Sequence, residues 1–428
     1  MRRKSEDTTN LTIHQTVGDD LRQQLQRQVI GSDLSHGKQP LSPTSPTDAS
    51  HWQTCTATAS YAGFSEGSLN SQHITLNTFT QTRAVNALVE KYGRMSHMFI
   101  RDKGANFFVG CNGNAALCFK VKAKVAIILG DPLCEPDLYM AIVDEFALYR
   151  KKRGWDILVQ AVSHEFTRQA RERNWPSLCG VRERVLNPLT NPVIHCEAGK
   201  SGKRMLAQNS SDTPNRNLEL EDKLTGVYEA WRHKRNASGV PQLHSATYDI
   251  MAFPQLGLFI YTVDRNGTVN GVAALRRLAS GGYHVDPFVN APGSHKCIPD
   301  LLIFGALSVL KVMGVSYLSL GEEILTTNVE SFGFSEKLQQ RRRAASRWVL
   351  ARLPPREKSF FNDKYKPDPE LETRLYSVFP SGEPGLRHSI AMMQFSNINI
   401  WSILLMELWK WICSLFSWSK ILSGKGDN

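Results

Sequence analysis

The sequence predicts an α/β protein built from two similar units, and two observations lead to this prediction. Apolar runs bounded by Gly/Asn turns form a first block of three strands, a helix, a strand and a helix, at 106–111, 115–121, 125–129, 137–153, 156–162 and 164–173. After a helix over 218–233, the same order of three strands, a long helix and a strand returns at 256–264, 271–278, 282–288, 297–312 and 317–320. The repeated order indicates an internal duplication, and long helices between strands favour parallel pairing.

Length and charge limit the classes of protein to which the chain can belong. The chain has 428 residues, a net charge of +11 and 41% hydrophobic residues, which is enough for two or three domains with their own cores. The positive balance indicates an anionic partner such as nucleic acid or an acidic lipid surface. Eight cysteines without a CxxC predict neither a disulfide framework nor a zinc site. The basic N-terminus is not followed by an apolar stretch, so we expect a cytoplasmic protein rather than a secreted one.

The two ends of the chain differ from its middle. Residues 1–73 are rich in Ser, Thr, Gln, Asp and Pro, a composition that predicts a disordered segment. Two domains are expected next, at 74–212 and 213–395. The remaining segment, 396–428, alternates apolar residues with a narrow polar stripe and contains Trp401, Trp409, Trp411 and Trp418. Such a helix suits a membrane interface better than a membrane span, so we expect peripheral membrane association through it. The alternative is a terminal helix packed on the core.

Common catalytic and cofactor motifs are missing from the sequence. It contains no GxxxxGK[ST], no GxGxxG that opens a helix, no HExxH and no Cys/His cluster with metal spacing. The Gly-rich pyrophosphate loop that acetyltransferases use for coenzyme A is not evident either, because 277–282 has the wrong spacing. The sequence therefore predicts no metal and no bound cofactor.

A basic segment and several acidic residues remain as candidate functional features. Residues 341–366 carry nine Lys and Arg against Glu357 and Asp363, with aromatic residues between them. Cations with interleaved aromatic rings suit a single-stranded nucleic-acid end, although a solvated insertion explains Arg341, Arg342 and Arg343 equally well.

The acidic candidates lie in the second block. Asp286 shares a strand face with His284, Asp300 opens the long helix, and Glu322 and Glu323 are expected just beyond a strand end. A helix-dipole role for Asp300 and a solvated turn for the glutamates are the alternatives.

Short motifs in a characteristic order resemble the C-terminal domain of bacterial phosphatidylglycerol aminoacyltransferases over about 75–395. The first half has Phe107-Phe108, a strand that ends in Leu129-Gly130-Asp131-Pro132, and Gly154-Trp155-Asp156. The second half has Asp286 with Pro292-Gly293, then Asp300 in DLLIFGA, Leu318-Ser-Leu-Gly321 and Lys364-Tyr365-Lys366-Pro367. This resemblance implies a tandem of two acetyltransferase-like (GNAT) folds that moves an amino acid from aminoacyl-tRNA to a lipid hydroxyl.

The chain departs from the bacterial pattern in ways that narrow the resemblance. No multi-span flippase segment precedes the domain, and the basic stretch before residue 210 is reduced to Lys200, Lys203 and Arg204. It looks more like the fungal sterol aminoacyltransferases of the free-standing type, which implies glycyl-tRNA and ergosterol in membranes as partners.

By the same resemblance, Lys364 and Lys366 would bind the tRNA 3′ end, together with the basic residues at 341–343 and 203–204. Asp286 and Asp300 would bind the ammonium group or polarise the hydroxyl, with Glu322 or Glu323 as the alternative.

Four other functions are compatible with the sequence. The first is an N-acyltransferase that uses acyl-coenzyme A on the same fold, and the second is aminoacylation of another lipid such as phosphatidylglycerol or diacylglycerol. The third is a membrane-bound RNA-binding protein without catalysis, and the fourth is a hydrolase that removes the amino acid from the lipid.

Overall fold

A computed structural model describes residues 10–15, 72–75, 79–195, 217–237, 247–325, 330–337, 339–340, 344 and 355–397. Thirteen strands form one continuous sheet, with helices on both of its faces.

The first unit begins with β2 (Gln72–Thr75), helix α1 (Phe79–Tyr92) and a 3-10 helix (Met95–Arg101). Three antiparallel strands follow, β3 (Asn106–Val109), β4 (Ala116–Lys122) and β5 (Val125–Leu129). Helix α2 (Tyr139–Lys151) then leads to β6 (Asp156–Val162), which pairs in parallel with β5. Helix α3 (His164–Glu172), β7 (Ser177–Leu186) and the short α4 (Pro192–His195) complete the unit.

The second unit repeats this order after helix α5 (Leu218–Ala237). Its antiparallel strands are β8 (Gly257–Val263), β9 (Val269–Arg277) and β10 (Tyr283–Asn290). Helix α6 (Ile298–Val312) leads to β11 (Leu318–Ile324), which pairs in parallel with β10. The remaining elements are β12 (Ser331–Phe332), α7 (Pro355–Asp363), β13 (Thr373–Val378) and α8 (Leu386–Phe395). The predicted duplication is therefore confirmed by the topology.

The two units exchange a strand at the centre of the sheet. With β1 at Asn10–Gln15, the strand order is β1-β8-β9-β10-β11-β7-β13-β6-β5-β4-β3-β2, and β12 pairs with β7 outside this order. Strand β7 of the first unit is antiparallel to β11 of the second, and β13 of the second unit is antiparallel to β6 of the first. Each unit thus completes its sheet with a strand from the other.

Apolar side chains fill both faces of this sheet. Strand β5 shows why, because Val125, Ile127 and Leu129 enter one core while Ala126 and Ile128 enter another. A strand buried on both faces is apolar throughout, which is how its sequence reads. One core contacts α1, α5 and α8 and lies under strands of both units, so the units share a hydrophobic interior. Helix α6 covers the opposite face of β8 to β11.

Most predicted elements are confirmed within a few residues. The segment 1–73, expected to be disordered, contains β1 (Asn10–Gln15), which pairs with β8 across the edge of the second unit. The short run Leu11-Thr12-Ile13 alternates apolar and polar residues, a strand signal that the polar composition around it outweighed. Residues 1–9 and 16–71 lie outside the described part.

Candidate active site

The second unit opens where its two parallel strands separate. Strands β10 and β11 pair only at Tyr283–Leu318 and His284–Ser319, and both strands then shift register against their other neighbours. We call this place the β10–β11 splay. Gly321 lies at the splay with φ +87°, and a Cβ there would come within 3.4 Å of His284 Nε2. Glycine is therefore the residue that lets β11 turn away from β10 at this point.

Asp286 lies on β10 at the splay, as the sequence predicted for a site residue. Its carboxylate accepts a hydrogen bond from the Tyr248 hydroxyl and lies near the cations Lys358 and Arg101. Burial raises the pKa of Asp286 and outweighs these attractive partners, of which Lys358 is the strongest. The carboxylate is therefore a partly desolvated group for which a further cation would be a favourable partner.

Glu322 faces the same site from β11. Burial raises its pKa to about 7, with Lys358 acting in the opposite direction and Glu183 of β7 adding to the rise. Its Oε1 is buried and has no hydrogen-bond partner in the described part of the chain. Lys358 on α7 reaches this strand and donates a hydrogen bond of 2.8 Å from Nζ to the Glu322 carbonyl oxygen. A carboxyl group that titrates near neutrality suits proton transfer at physiological pH.

Glu323 has a different environment although it is the next residue. Its Oε1 accepts hydrogen bonds from Arg182 Nη2 at 2.6 Å and Nε at 3.2 Å, and its Oε2 lies 3.4 Å from Arg184 Nε. These partners lie on β7, where Arg182 is the register partner of Glu323 and Glu183 that of Glu322. Adjacent strand residues point to opposite faces, so Glu323 joins an ion-pair network while Glu322 faces the splay.

The expectation that these glutamates follow a strand end is wrong, because β11 continues to Ile324. The exchanged strand β7 pairs with it through Val181 and extends it past Gly321. The glutamates are thus fixed by strand pairing with the other unit.

Asp300 is in the first turn of α6, as predicted, and its side chain is occupied. It forms an ion pair with Lys364 and accepts a hydrogen bond of 2.6 Å from the Tyr365 hydroxyl. The Lys364 ammonium also lies 3.8 Å from the centre of the Phe361 ring, which stacks on Phe288 two residues beyond Asp286. Asp300 therefore anchors the end of α7 beside the splay. The sequence analysis assigned Asp300 to the reaction and Lys364 to tRNA binding, and the structure pairs these two residues.

Lys366 differs from Lys364 in having a free side chain. It is exposed, and its ammonium makes no hydrogen bond or ion pair with any residue that the structure describes. The other predicted tRNA-binding residues, Lys203, Arg204, Arg341, Arg342 and Arg343, lie outside the described residues. The same holds for Trp401, Trp409, Trp411 and Trp418.

Two residues in the splay were missed as site residues from the sequence. Arg101, at the end of the 3-10 helix, donates from Nη1 to the Asp286 carbonyl oxygen at 3.2 Å, and Arg276 is a fully buried residue of β9. An arginine inside an apolar strand such as VAALRRL was the available signal for Arg276. Nothing in the sequence indicated that Arg101 of the first unit would reach the second.

The described ranges contain no group of three or more His, Cys, Asp or Glu residues that could hold a metal ion. None of the described helices is both long enough and apolar enough to cross a membrane.

Comparison with known families finds one match, in the first unit. Residues 86–187 match the model of the family described as phosphatidylglycerol lysyltransferase, C-terminal. This match covers the first unit up to the end of β7 and supports the resemblance predicted from the motifs. No curated protein matches the chain.

Solved structures extend the similarity to the rest of the fold. The structure of L-PGS from Bacillus licheniformis has a TM-score of 0.55 and 16% identity, covering 74% of this chain and 95% of that one. The C-terminal domain of a putative lysylphosphatidylglycerol synthetase from Agrobacterium fabrum has a TM-score of 0.54 and 12% identity, covering 74% and 96%. A tandem GNAT protein from the clavulanic acid biosynthesis pathway also matches, with a TM-score of 0.35, 10% identity, and coverage of 74% and 100%. The predicted α/β fold with two similar units in tandem is confirmed by the order of elements and the sheet topology.

Proposed function

We propose that the protein transfers an amino acid from aminoacyl-tRNA to a lipid hydroxyl, and more specifically glycine to the 3β-hydroxyl of ergosterol. The observation that carries the proposal is the pair of half-buried carboxyl groups, Asp286 and Glu322, that face one splay between parallel strands. The match of residues 86–187 to the phosphatidylglycerol lysyltransferase model supports the general reaction. The reduced basic stretch before residue 210 and the resemblance to the free-standing fungal sterol aminoacyltransferases support the choice of sterol and glycine.

The reaction needs positioning and one proton transfer. An aminoacyl-tRNA ester is already activated, so an enzyme that holds the ester beside an acceptor hydroxyl supplies much of the rate enhancement. Glu322, whose pKa is about 7, takes the hydroxyl proton as the hydroxyl oxygen attacks the ester carbonyl carbon. The same carboxyl group then protonates the ribose oxygen as the ester bond to tRNA breaks.

Asp286 provides the site for the amino acid's ammonium group. Burial disfavours its ionised form, and a bound ammonium would restore that form by direct attraction. Asp300 and Glu323 have structural roles in this proposal, because each is already paired with cations of the protein.

The tRNA end approaches along α7 and the residues that follow it. Lys366 has an unengaged ammonium, and the basic residues at 341–343 and 203–204 extend the positive charge in the sequence. The Trp-rich segment 396–428 follows α8 and would hold the enzyme on the sterol-containing bilayer as a cytoplasmic, peripheral protein.

The test uses purified full-length protein, charged tRNA and liposomes of defined composition. Liposomes contain ergosterol, phosphatidylglycerol or diacylglycerol, and the tRNA carries radiolabelled glycine, aspartate, lysine or alanine. We expect an RNase-sensitive labelled sterol ester with glycine. Label in another lipid would identify that lipid, and not ergosterol, as the acceptor. Label from another amino acid would identify that amino acid, and not glycine, as the transferred group.

Absence of lipid label from every charged tRNA would overturn the transferase. Two further reactions then identify the rival activities. Release of amino acid from pure sterol ester without tRNA would indicate a hydrolase, and acylation that depends on acyl-coenzyme A would indicate an N-acyltransferase.

A further inference from the structure

Two arginines at the splay are buried and form no close ion pair with a carboxylate, although the Asp286 carboxylate attracts both of them. Arg101 is 3% exposed and Arg276 is 1% exposed, and within the described residues neither forms an ion pair. Burial lowers the pKa of Arg101 to about 10 and that of Arg276 to about 9, so both guanidinium groups stay positive at neutral pH. Burying a charge without a close ion pair is costly, so such a group calls for an explanation, and a ligand that supplies the partner is one.

Both guanidinium groups are fixed through one bond each and retain unused donors. Arg101 Nη1 donates to the Asp286 carbonyl oxygen at 3.2 Å, and Arg276 Nη2 donates to the Arg94 carbonyl oxygen at 2.7 Å. Arg101 Nε, Arg101 Nη2 and Arg276 Nη1 are buried and have no hydrogen-bond partner among the described residues. The unused donors are therefore held in place before any ligand arrives.

The surroundings of these donors favour an oxygen that gains negative charge. His284 lies next to both arginines, and burial followed by their positive charges lowers its pKa well below the usual value. The imidazole is thus neutral and adds no competing charge. Asp286 and Glu322, the carboxyl groups of the proposed reaction, face the same splay.

We propose that Arg101 and Arg276 hold the carbonyl oxygen of the aminoacyl ester and stabilise its negative charge in the tetrahedral intermediate. This inference rests on the proposed function and deepens it. The lipid oxygen bonds to the carbonyl carbon, its proton passes to Glu322, and the carbonyl π electrons move to the oxygen between the guanidinium groups. When the C–O double bond re-forms, the bond to the ribose oxygen breaks and that oxygen takes the proton from Glu322. Donors that are fixed in a dry site stabilise such an oxyanion strongly.

A phosphate group of tRNA is the competing ligand for two arginines. A phosphodiester stays hydrated and follows exposed cations such as Lys366, whereas Arg101 and Arg276 are almost wholly buried. The aminoacyl ester lies at the tip of the tRNA and is the part that must reach the half-buried carboxyl groups Asp286 and Glu322. The burial of Arg101 and Arg276 therefore favours the ester carbonyl oxygen over a tRNA phosphate as their ligand.

The experiment compares two adenosine derivatives that differ only in the reacting group. One is 3′-glycylamino-3′-deoxyadenosine, a stable planar amide, and the other is the aminomethylphosphonate monoester of the adenosine 3′-oxygen, which is tetrahedral and anionic. Their dissociation constants are measured with full-length wild type, Arg101→Gln and Arg276→Gln. We expect the wild type to bind the phosphonate about 100-fold more tightly than the amide. Each Gln variant should lose about tenfold or more of this preference while amide affinity changes little.

Arg277→Gln is the matched control. Arg277 is the next residue on β9, points away from the splay and pairs with the exposed Glu90 at 2.9 Å, so its loss should leave both dissociation constants unchanged. If a Gln variant does not fold, the corresponding Lys variant, Arg101→Lys or Arg276→Lys, is used in its place because it keeps the positive charge. We expect these Lys variants to retain part of the phosphonate preference.

Three results would overturn the inference. The wild type could bind both derivatives equally, or each Gln variant could weaken both derivatives by the same factor. The salt dependence of tRNA binding could instead fall by about one ion per arginine, which would identify a phosphate site.

The preference for the phosphonate over the amide is measured without lipid, so it does not depend on which lipid is the acceptor. A protein that keeps the preference but labels no lipid refutes the proposed function alone. A protein that makes the sterol ester without the preference refutes only this inference.

Discussion

The two units share one architecture and differ at the end of their parallel strand pair. In the first unit β5 and β6 stay paired over five residues, Val125–Asp156 to Leu129–Gln160. In the second unit the corresponding strands β10 and β11 stay paired over only two. The first unit is therefore closed where the second opens.

The polar groups at this position differ in the same way. Asp131, two residues after the end of β5, is buried and satisfied: it accepts hydrogen bonds from the Ser163 backbone N–H at 2.8 Å and from Arg94 at 2.9 Å. Asp286 and Glu322 are also desolvated, but Glu322 Oε1 and three neighbouring guanidinium donors remain unpaired among the described residues. The comparison teaches that a duplicated fold can use one copy for support and the other for chemistry, and that hydrogen-bond satisfaction distinguishes them.

The largest expected effect separates two adjacent glutamates. Glu322→Gln should lower the transfer rate by a factor of about 10² to 10⁴, because it removes the proposed base. Glu323→Gln should keep most of the rate per folded molecule and lower the free energy of unfolding, because it removes one of the carboxylates that pair with Arg182 and Arg184. Single-turnover rates and urea unfolding of both variants test this. Equal loss of rate in the two would contradict the assignment of Glu322.

Making the same Asp→Asn substitution in each of the two units tests the comparison directly. Asp286→Asn should lower transfer and weaken binding of the amino acid, with little change in stability. Asp131→Asn should cost about 1–3 kcal/mol of unfolding free energy, since Ser163 and Arg94 lose a charged acceptor, and should leave the transfer rate of the folded protein unchanged. A catalytic loss in Asp131→Asn would show that the first unit takes part in the chemistry.

The pH dependence should carry the signature of Glu322. The base acts in its ionised form, so the transfer rate should rise about tenfold per pH unit at low pH and level off above about 7. Since the folded pKa lies above the unfolded value, ionisation of Glu322 destabilises the fold as pH rises from about 4.3 to about 7. The Gln variant should therefore lose this limb of the rate profile and gain stability relative to wild type at pH 8. A limb near pH 7 that persists in Glu322→Gln would assign the titration to another group.

The smallest expected effect distinguishes two lysines on tRNA binding. Lys366→Ala should reduce the salt slope of tRNA binding by about one ion, because its ammonium is exposed and unengaged. Lys364→Ala should change the slope less, because Lys364 is already paired with Asp300. Binding isotherms over a range of salt concentrations measure both, and equal slopes in the two variants would contradict the difference.

The sequence predicted those elements whose signal is local. Strands β5 and β6 were placed to the residue because each is a short apolar run between turn residues. Strand β7 was missed because Arg182, Glu183 and Arg184 interrupt its pattern, and their partners lie on β11, β13 and α7, far along the chain. Pairing between strands that are far apart along the chain produces no pattern in the local sequence.

The same limit applies to the site. Asp286 was predicted as a site residue because it lies two residues from His284 on a strand, but the sequence could not choose between Glu322 and Glu323. That choice depends on which β7 residue stands opposite each glutamate. Arg101 reaches the splay from the other unit, so only the assembled fold brings it to Asp286.

The exchanged strands also bear on how the chain folds during synthesis. Strand β6 gains its neighbour β13 only when residues 373–378 have emerged from the ribosome, so the first unit waits with an unpaired edge while the second is being made. Such long-range pairing slows folding and exposes intermediates to aggregation. A fragment ending near residue 212 should therefore be poorly soluble when expressed alone, and its co-expression with the remaining chain should restore it.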